Sequence, residues 1–285
     1  MNTGIHDVSA LAWRLAGVLK GWFRAGVLET YSTERHASAA QLIENDKVVS
    51  MLIAGKKPEG LQEDPRDPMV LLDEAIESQA AFASGLGIAY PPSFLNDVQG
   101  SDAPINITPG HRAPDVHLHK PGSPHTPTRL YTLTPYTGRF HILIFAGDPH
   151  TTRPQLRTLH HDLAASPRFA PALTFLTLIA GTANAIDEYL GVGRFGNGYW
   201  DPEGAAHARY GIGRGAGGIV VVRPDGILGF QVGLGGWARV RGPEEEEEGE
   251  RRGEGLGEFL GQNEGFLAMP GRGEGEVESV GGGHV

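Results

Sequence analysis

Apolar side chains at Ile5, Val8, Leu11, Ala12, Leu15, Val18, Leu19 and Trp22 recur at three- and four-residue intervals, the spacing that gathers them on one face of a helix. The pattern predicts an amphipathic helix from Gly4 to Phe23. Asn2 or Thr3 can cap its first turn, and Asp7 complements the positive end of its dipole. Gly26 separates it from a second predicted helix, Val27 to Ala54, with Tyr31, Leu42, Ile43, Val49, Leu52 and Ile53 as its expected buried stripe. Lys56 to Pro68 holds three prolines among charges and reads as an exposed connection. A third helix is predicted over Met69 to Ser84. From Tyr90-Pro91-Pro92 to Thr108-Pro109-Gly110 the chain is irregular, and a new domain is expected to begin there.

Beyond that point the period changes. Phe140 to Phe145 (FHILIF) and Leu173 to Ile179 (LTFLTLI) are short apolar runs suited to buried strands, with a helix predicted between them over Arg153 to Ala165. Strand, helix, strand at this spacing predicts a parallel βαβ unit. Ile219 to Val222 and Ile227 to Phe230 flank Arg223-Pro224-Asp225-Gly226, which predicts an antiparallel hairpin. A βαβ unit with a terminal hairpin has thioredoxin-like topology, although other α/β sandwiches are compatible with the pattern. The expected organisation is therefore α/β: helices over 1–99, a thioredoxin-like α/β domain over 100–241 and a tail over 242–285.

Composition sharpens this division. Of 42 glycines, 14 fall in residues 1–190, 15 in 191–241 and 13 in the last 44 residues. The tail carries 12 Glu against 3 Arg, which is −9 of the formal −10, so the remainder of the chain is nearly neutral. Its Gly and Glu supply little apolar surface against the entropy of ordering, and the acidic tail is expected to be disordered. Only Leu256 to Ala268 offers enough apolar residues for a weak helix. The acidic balance argues against a nucleic-acid partner. No apolar run reaches the ~18 residues of a membrane span, and the expected location is cytoplasmic. With no cysteine, disulfide exchange, thiol catalysis and Cys-ligated metal centres are excluded.

Met1-Asn2-Thr3-Gly4-Ile5-His6-Asp7, then Ala10-Leu11-Ala12-Trp13-Arg14-Leu15, then Tyr31-Ser32-Thr33-Glu34-Arg35 resemble, in order and spacing, the end of the FAD domain of phenol 2-monooxygenase-type flavoproteins. Ala113-Pro114-Asp115, Leu130-Tyr131, Asp201-Pro202-Glu203-Gly204, His207, Tyr210-Gly211 and Val222-Arg223-Pro224-Asp225-Gly226 resemble that family's C-terminal thioredoxin-like dimerisation domain. The resemblance implies FAD as cofactor, NADPH as co-substrate, hydroxylation of a phenolic small molecule with O2, and a homodimer. It implies flavin contacts at Met1, Asn2, Thr3 and Gly4, where helix amides and the dipole favour charge on the reduced flavin. The chain departs from the family in lacking its GxGxxG and GD segments and in having His36-Ala37 after the Glu-Arg pair. FAD is accordingly expected to bind weakly to the isolated chain, which is expected not to turn over. The alternative is a non-catalytic interaction module.

Several residues admit plainer readings. Met1 to Gly4 can be merely a capped helix start. Glu34 and Arg35 can face absent parts of an FAD domain or form a solvated pair of ~0.3–0.5 kcal/mol. His117, His119, His160 and His161 lack a metal-binding spacing and are expected at the surface. His207 and Tyr210 are expected to pack within the C-terminal domain. Ser9 and Ser38 stand in no GxSxG elbow, and the glycines of 211–218 precede a strand, the wrong order for phosphate capture. Trp13, Leu15, Val18 and Trp22 are expected to expose apolar surface.

Overall fold

The structure, a computed structural model, describes residues 2–96, 107–164, 171–181 and 190–235. The predicted acidic tail and the weak helix within it lie outside the described residues. Three helices open the chain: α1 (Asn2–Leu19), α2 (Val27–Ile53) and α3 (Pro68–Ala83). The first prediction ran four residues too far. Gly21, at a φ of +66°, turns the chain back, and Trp22 and Phe23 both donate their amides to the Gly17 carbonyl. The Phe23 ring then lies where a Cβ of residue 17 would stand, so only glycine lets it close on the helix. Asp67 caps α3 by accepting from the Met69 amide at 2.8 Å, with Pro68 in the first turn.

The second half forms β1 (His117–Lys120), β2 (Ser123–Arg129), α4 (Leu130–Leu133), β3 (Phe140–Gly147), α5 (Pro149–Ala164), β4 (Leu173–Ala180), β5 (Asn197–Asp201), α6 (Ala205–Tyr210), β6 (Gly218–Val222) and β7 (Leu228–Gly233). These strands make one mixed sheet in the order β2-β1-β5-β4-β3-β6-β7. The predicted parallel βαβ unit is β3-α5-β4, and the predicted hairpin is β6-β7. β5 adds a third parallel strand, and β1 runs antiparallel to both β2 and β5.

Both faces of the sheet are covered, which is why β3 is apolar throughout rather than alternating. Phe140, Ile142 and Ile144 point to one side, where Leu156 and Leu159 of α5 meet Trp13 of α1 and Phe23. Leu143 and Phe145 point to the other, against Tyr210, Leu118 and Leu130. Trp13 makes edge-on contacts with both Phe23 and Phe140, at centroid separations of 5.8 and 5.5 Å. The expectation that Trp13 is exposed is therefore corrected: it is 1% exposed. Val18 and Trp22 are half-buried against the same core, and of the four only Leu15 is exposed.

The stripe expected on α2 also needs correction. Only Leu52 of that set is buried, in a small cluster with Leu71 and Leu72, whereas Ile43 and Ile53 are exposed. The buried face of the helix's first half is Val27, Thr30, Glu34 and Ser38. These keep helical spacing but are mostly polar, so a hydrophobic pattern cannot reveal them. Residues 110–113 lie along the hairpin: the Gly110 amide donates to the Leu228 carbonyl, the Leu228 amide to the His111 carbonyl, and the Ala113 amide to the Gly226 carbonyl.

Candidate functional site

Arg223 begins the turn of the β6-β7 hairpin and is 0% exposed. Its guanidinium is held on two sides. Nη1 and Nη2 donate to Glu34 Oε1 and Oε2 at 2.6 and 2.9 Å, while Nε and Nη2 donate to Asp225 Oδ1 and Oδ2 at 3.1 and 2.7 Å. Glu34 also accepts from Arg14 Nη2 at 2.6 Å and from Asn96 Nδ2 at 3.1 Å. The remaining donors of Arg14 go to the Thr30 hydroxyl and the Ala10 carbonyl. Trp13 Nε1 donates to Asp225 Oδ2 at 3.1 Å. Two buried cations and two carboxylates thus join α1, α2, residue 96 and the hairpin turn. Glu34 is neither solvated nor reserved for another domain, which corrects both readings of it. Its neighbour Arg35 donates to Asp7 at 2.6 Å and to the Tyr90 hydroxyl at 3.2 Å.

Burial works against the charge on Arg223, but Asp225 and Glu34 overcome it and raise its pKa further. Burial would likewise raise the Asp225 carboxyl; the Arg223 charge and hydrogen bonds hold it below the usual carboxylate range. Arg14 is pushed down, first by burial and then by Arg223, with Glu34 opposing.

A second buried pair lies on the far face. Asp201 accepts from His207 Nδ1 at 2.7 Å and from the His207 amide at 3.0 Å, so it both caps α6 and orients the ring. Tyr210 donates to the Pro114 carbonyl at 2.7 Å. Both residues pack within this half, as expected. Burial opposes the Asp201 charge, but the hydrogen bonds from His207 leave its carboxyl below its ordinary value. His141, buried with Nε2 on the Pro135 carbonyl, is lowered by burial, and His6 by burial and then by Arg112.

These directions predict acid destabilisation in two steps. For His6 and His141 the unfolded chain takes up protons first as pH falls below about 6.5. For Asp201 and Asp225 their stabilisation is full above about pH 4 and is lost as pH falls through their depressed folded values. Thermal midpoints measured from pH 8 to 2 are expected to decline in these two windows, and His141→Gln is expected to shrink the first. A midpoint constant down to pH 3 would contradict the assignment.

The first turn of α1 holds the sequence-predicted site. Met1 lies outside the described residues, and only the backbone of Asn2 is described. Thr3 is half-buried and Gly4 exposed, and a Cβ at Gly4 would meet nothing within 4 Å. The first turn of the helix carries no acidic residue of its own, and its amides and dipole present positive charge there. Thr3, His6, Arg35 and Ser38 line an adjoining recess of about 430 Å³. His117, His160 and His161 are exposed, and among the described residues no group of three metal-ligating side chains forms. Among the described residues no helix is long and apolar enough to cross a membrane.

Comparison with known proteins finds flavin-dependent monooxygenases similar to this chain. The family described as "FAD binding domain" matches residues 1–46. The 3-hydroxybenzoate 4-monooxygenase of Comamonas testosteroni is 32% identical over 186 residues, covering 60% of this chain and 28% of that protein. Phenol 2-monooxygenase fsqG of Aspergillus fumigatus is 31% identical over 153 residues, 52% of this chain and 24% of that one. The solved structure of the OxyS anhydrotetracycline hydroxylase from Streptomyces rimosus superposes with a TM-score of 0.53 at 20% identity, over 94% of this chain and 41% of that one. The likeness to OxyS shows the fold. Over the matched part the chain resembles FAD-dependent aromatic hydroxylases, and the cofactor that this resemblance implies is FAD. It spans between about a quarter and under half of the length of the first curated relatives it matches.

Proposed function

We propose that the chain is the C-terminal portion of an FAD-dependent monooxygenase acting on a phenol-type ring. Residues 1–99 would complete its flavin-binding domain and residues 100–241 would form a thioredoxin-like dimerisation domain, in a cytoplasmic homodimer. The observation that carries this reading is the open first turn of α1, free of acidic side chains, within the segment matched to an FAD binding domain.

FAD, when bound and reduced by NADPH, supplies the means of activating O2 for transfer of one oxygen atom to the ring. The chain's own part is to hold the cofactor. Met1 to Gly4 would hold the pyrimidine edge through backbone amides, where the helix dipole would favour the charge gained on reduction. The Glu34–Arg223 tie fixes α2 to the sheet, and Arg14 on Glu34 and Trp13 on Asp225 fasten α1 to the same cluster.

The match stops short of most of the relatives' length, so the isolated chain is expected to bind FAD weakly and not to oxidise NADPH with phenols. Fluorescence titration with FAD, on samples also sized by light scattering, tests this. A colourless dimer with weak, saturable FAD binding is expected. Gly4→Asp, which puts a carboxylate in the first turn, is expected to weaken that binding about 2- to 5-fold. An affinity unchanged by Gly4→Asp would remove α1 from the flavin site.

A further inference from the structure

A cavity of about 300 Å³ opens where α1 meets the β6-β7 turn, the 88–90 segment and α4. Its walls include Ile5, Ile88, Leu130 and Ile227, three tyrosines (Tyr90, Tyr131, Tyr136), His6 and Arg112. Thr3 and Gly4, at the flavin end of α1, take no part in it. The volume is at the small end of ligand pockets and suits a single ring.

The tyrosine hydroxyls are already engaged. Tyr131 donates to the Ala113 carbonyl at 3.2 Å, Tyr136 donates to the Ser9 carbonyl at 2.6 Å, and Tyr90 accepts from Arg35. What they can still offer a guest is chiefly ring surface. The charges are distributed unequally. Asp225 is committed to Arg223, Asp115 to Arg129, and Asp7 to Arg35. Arg112 has only neutral partners: Nε donates to the Gly85 carbonyl at 3.1 Å and Nη1 to the Asp225 carbonyl at 3.3 Å. Among the described residues no carboxylate neutralises Arg112, and its Nη2 has no acceptor. The glycine at 226, at a φ of +78°, lets the guanidinium sit directly against the turn.

We propose that this cavity is a binding site for a small aromatic monoanion, an aryl carboxylate of one ring, with Arg112 receiving the carboxylate and the tyrosines and isoleucines enclosing the ring. The planar guanidinium matches a carboxylate in geometry and stacks on aromatic faces, so charge and shape select the same guest. His6 is held neutral near pH 7 by burial, then by Arg112 and Arg35, and so adds a hydrogen-bonding group rather than a second cation. His6 borders both this cavity and the recess beside the first turn of α1, but Thr3 and Gly4 do not line the cavity, and the proposal does not depend on FAD binding.

Isothermal titration of the full chain without FAD tests it. Benzoate is expected to bind about 10-fold or more tightly than benzamide, its neutral isostere, and than cyclohexanecarboxylate, which keeps the charge and loses the planar ring. Arg112→Gln is expected to abolish the preference for benzoate over benzamide while leaving benzamide binding unchanged. Equal binding of benzoate and benzamide to the unaltered chain, or no saturable binding of either, would overturn the proposal without recourse to a variant. Persistence of the benzoate preference in Arg112→Gln would overturn the role given to that residue.

Discussion

Glu34→Ala is expected to cost about 3–5 kcal/mol of folding stability, a large fraction of what holds an ordinary domain together. The carboxylate is 1% exposed and receives charged hydrogen bonds from Arg14 and Arg223, each 0% exposed, and one from Asn96. Alanine removes every one of them at once. Arg223 retains Asp225, but Arg14 is left with only a hydroxyl and a carbonyl for a charge wholly out of water. Two cations that shared a carboxylate then also repel each other. Glu34→Gln keeps the shape and loses the charge, and is expected to retain most of the loss, because the deficit is electrostatic. Urea unfolding followed by tryptophan fluorescence measures both. A loss under about 1 kcal/mol for alanine would mean that water reaches the cluster and that the tie contributes little to the fold.

The same cluster marks the limit of what the sequence could reveal. The βαβ unit and the hairpin were legible because burial imposed a continuous apolar run on their strands, whereas the three helices were legible as helices although Ile5, Val8, Leu15 and Leu19 of α1 and Ile43 and Ile53 of α2 stay exposed. β1 was not, since His117, His119 and Lys120 are polar and lie towards one margin of the sheet, with only Leu118 in the core. β5 was hidden by the glycines around it, and Gly196, at a φ of +63°, lies so close to the Phe175 carbonyl that a Cβ would collide with it. Arg223-Pro224-Asp225-Gly226 was legible as a turn. Its partnership with Glu34, 189 residues away, was not. The i, i+3, i+7 spacing of Val27, Thr30 and Glu34 was available, but polar residues at that spacing ordinarily face solvent. A resemblance to the flavoproteins singled out Glu34-Arg35 without saying that one closes on the hairpin and the other on Asp7 and Tyr90.

The sequence elements that carry the resemblance are thus also the ones that join the halves. Trp13 and Arg14 come from the first matched helix, Glu34 from the second, and Arg223 and Asp225 from the hairpin turn. A stretch matched to an FAD binding domain is therefore fastened to the sheet both by apolar packing around Trp13 and by a paired, hydrogen-bonded charge cluster. The packing supplies most of the stability, while the cluster fixes orientation, since charges out of water tolerate few geometries.

Trp13→Ala separates these contributions and is expected to cost about 3–5 kcal/mol, the range for truncating a buried tryptophan. The side chain fills the junction of α1 and β3, edge-on to Phe23 and Phe140, and the Arg14 guanidinium lies 4.5 Å from its ring centroid. Its removal leaves a cavity bordered by a guanidinium, so water entering to fill it would also loosen the ion pairs. Trp13→Phe keeps much of the ring area and loses the Nε1 hydrogen bond to Asp225, and is expected to cost about 1 kcal/mol. The two clusters touch, so the effects of Trp13→Ala and Glu34→Ala should not add. A double variant less destabilised than the sum by 0.5 kcal/mol or more is the expected sign of coupling. Strict additivity would mean that the apolar junction and the buried charges hold the helices to the sheet independently.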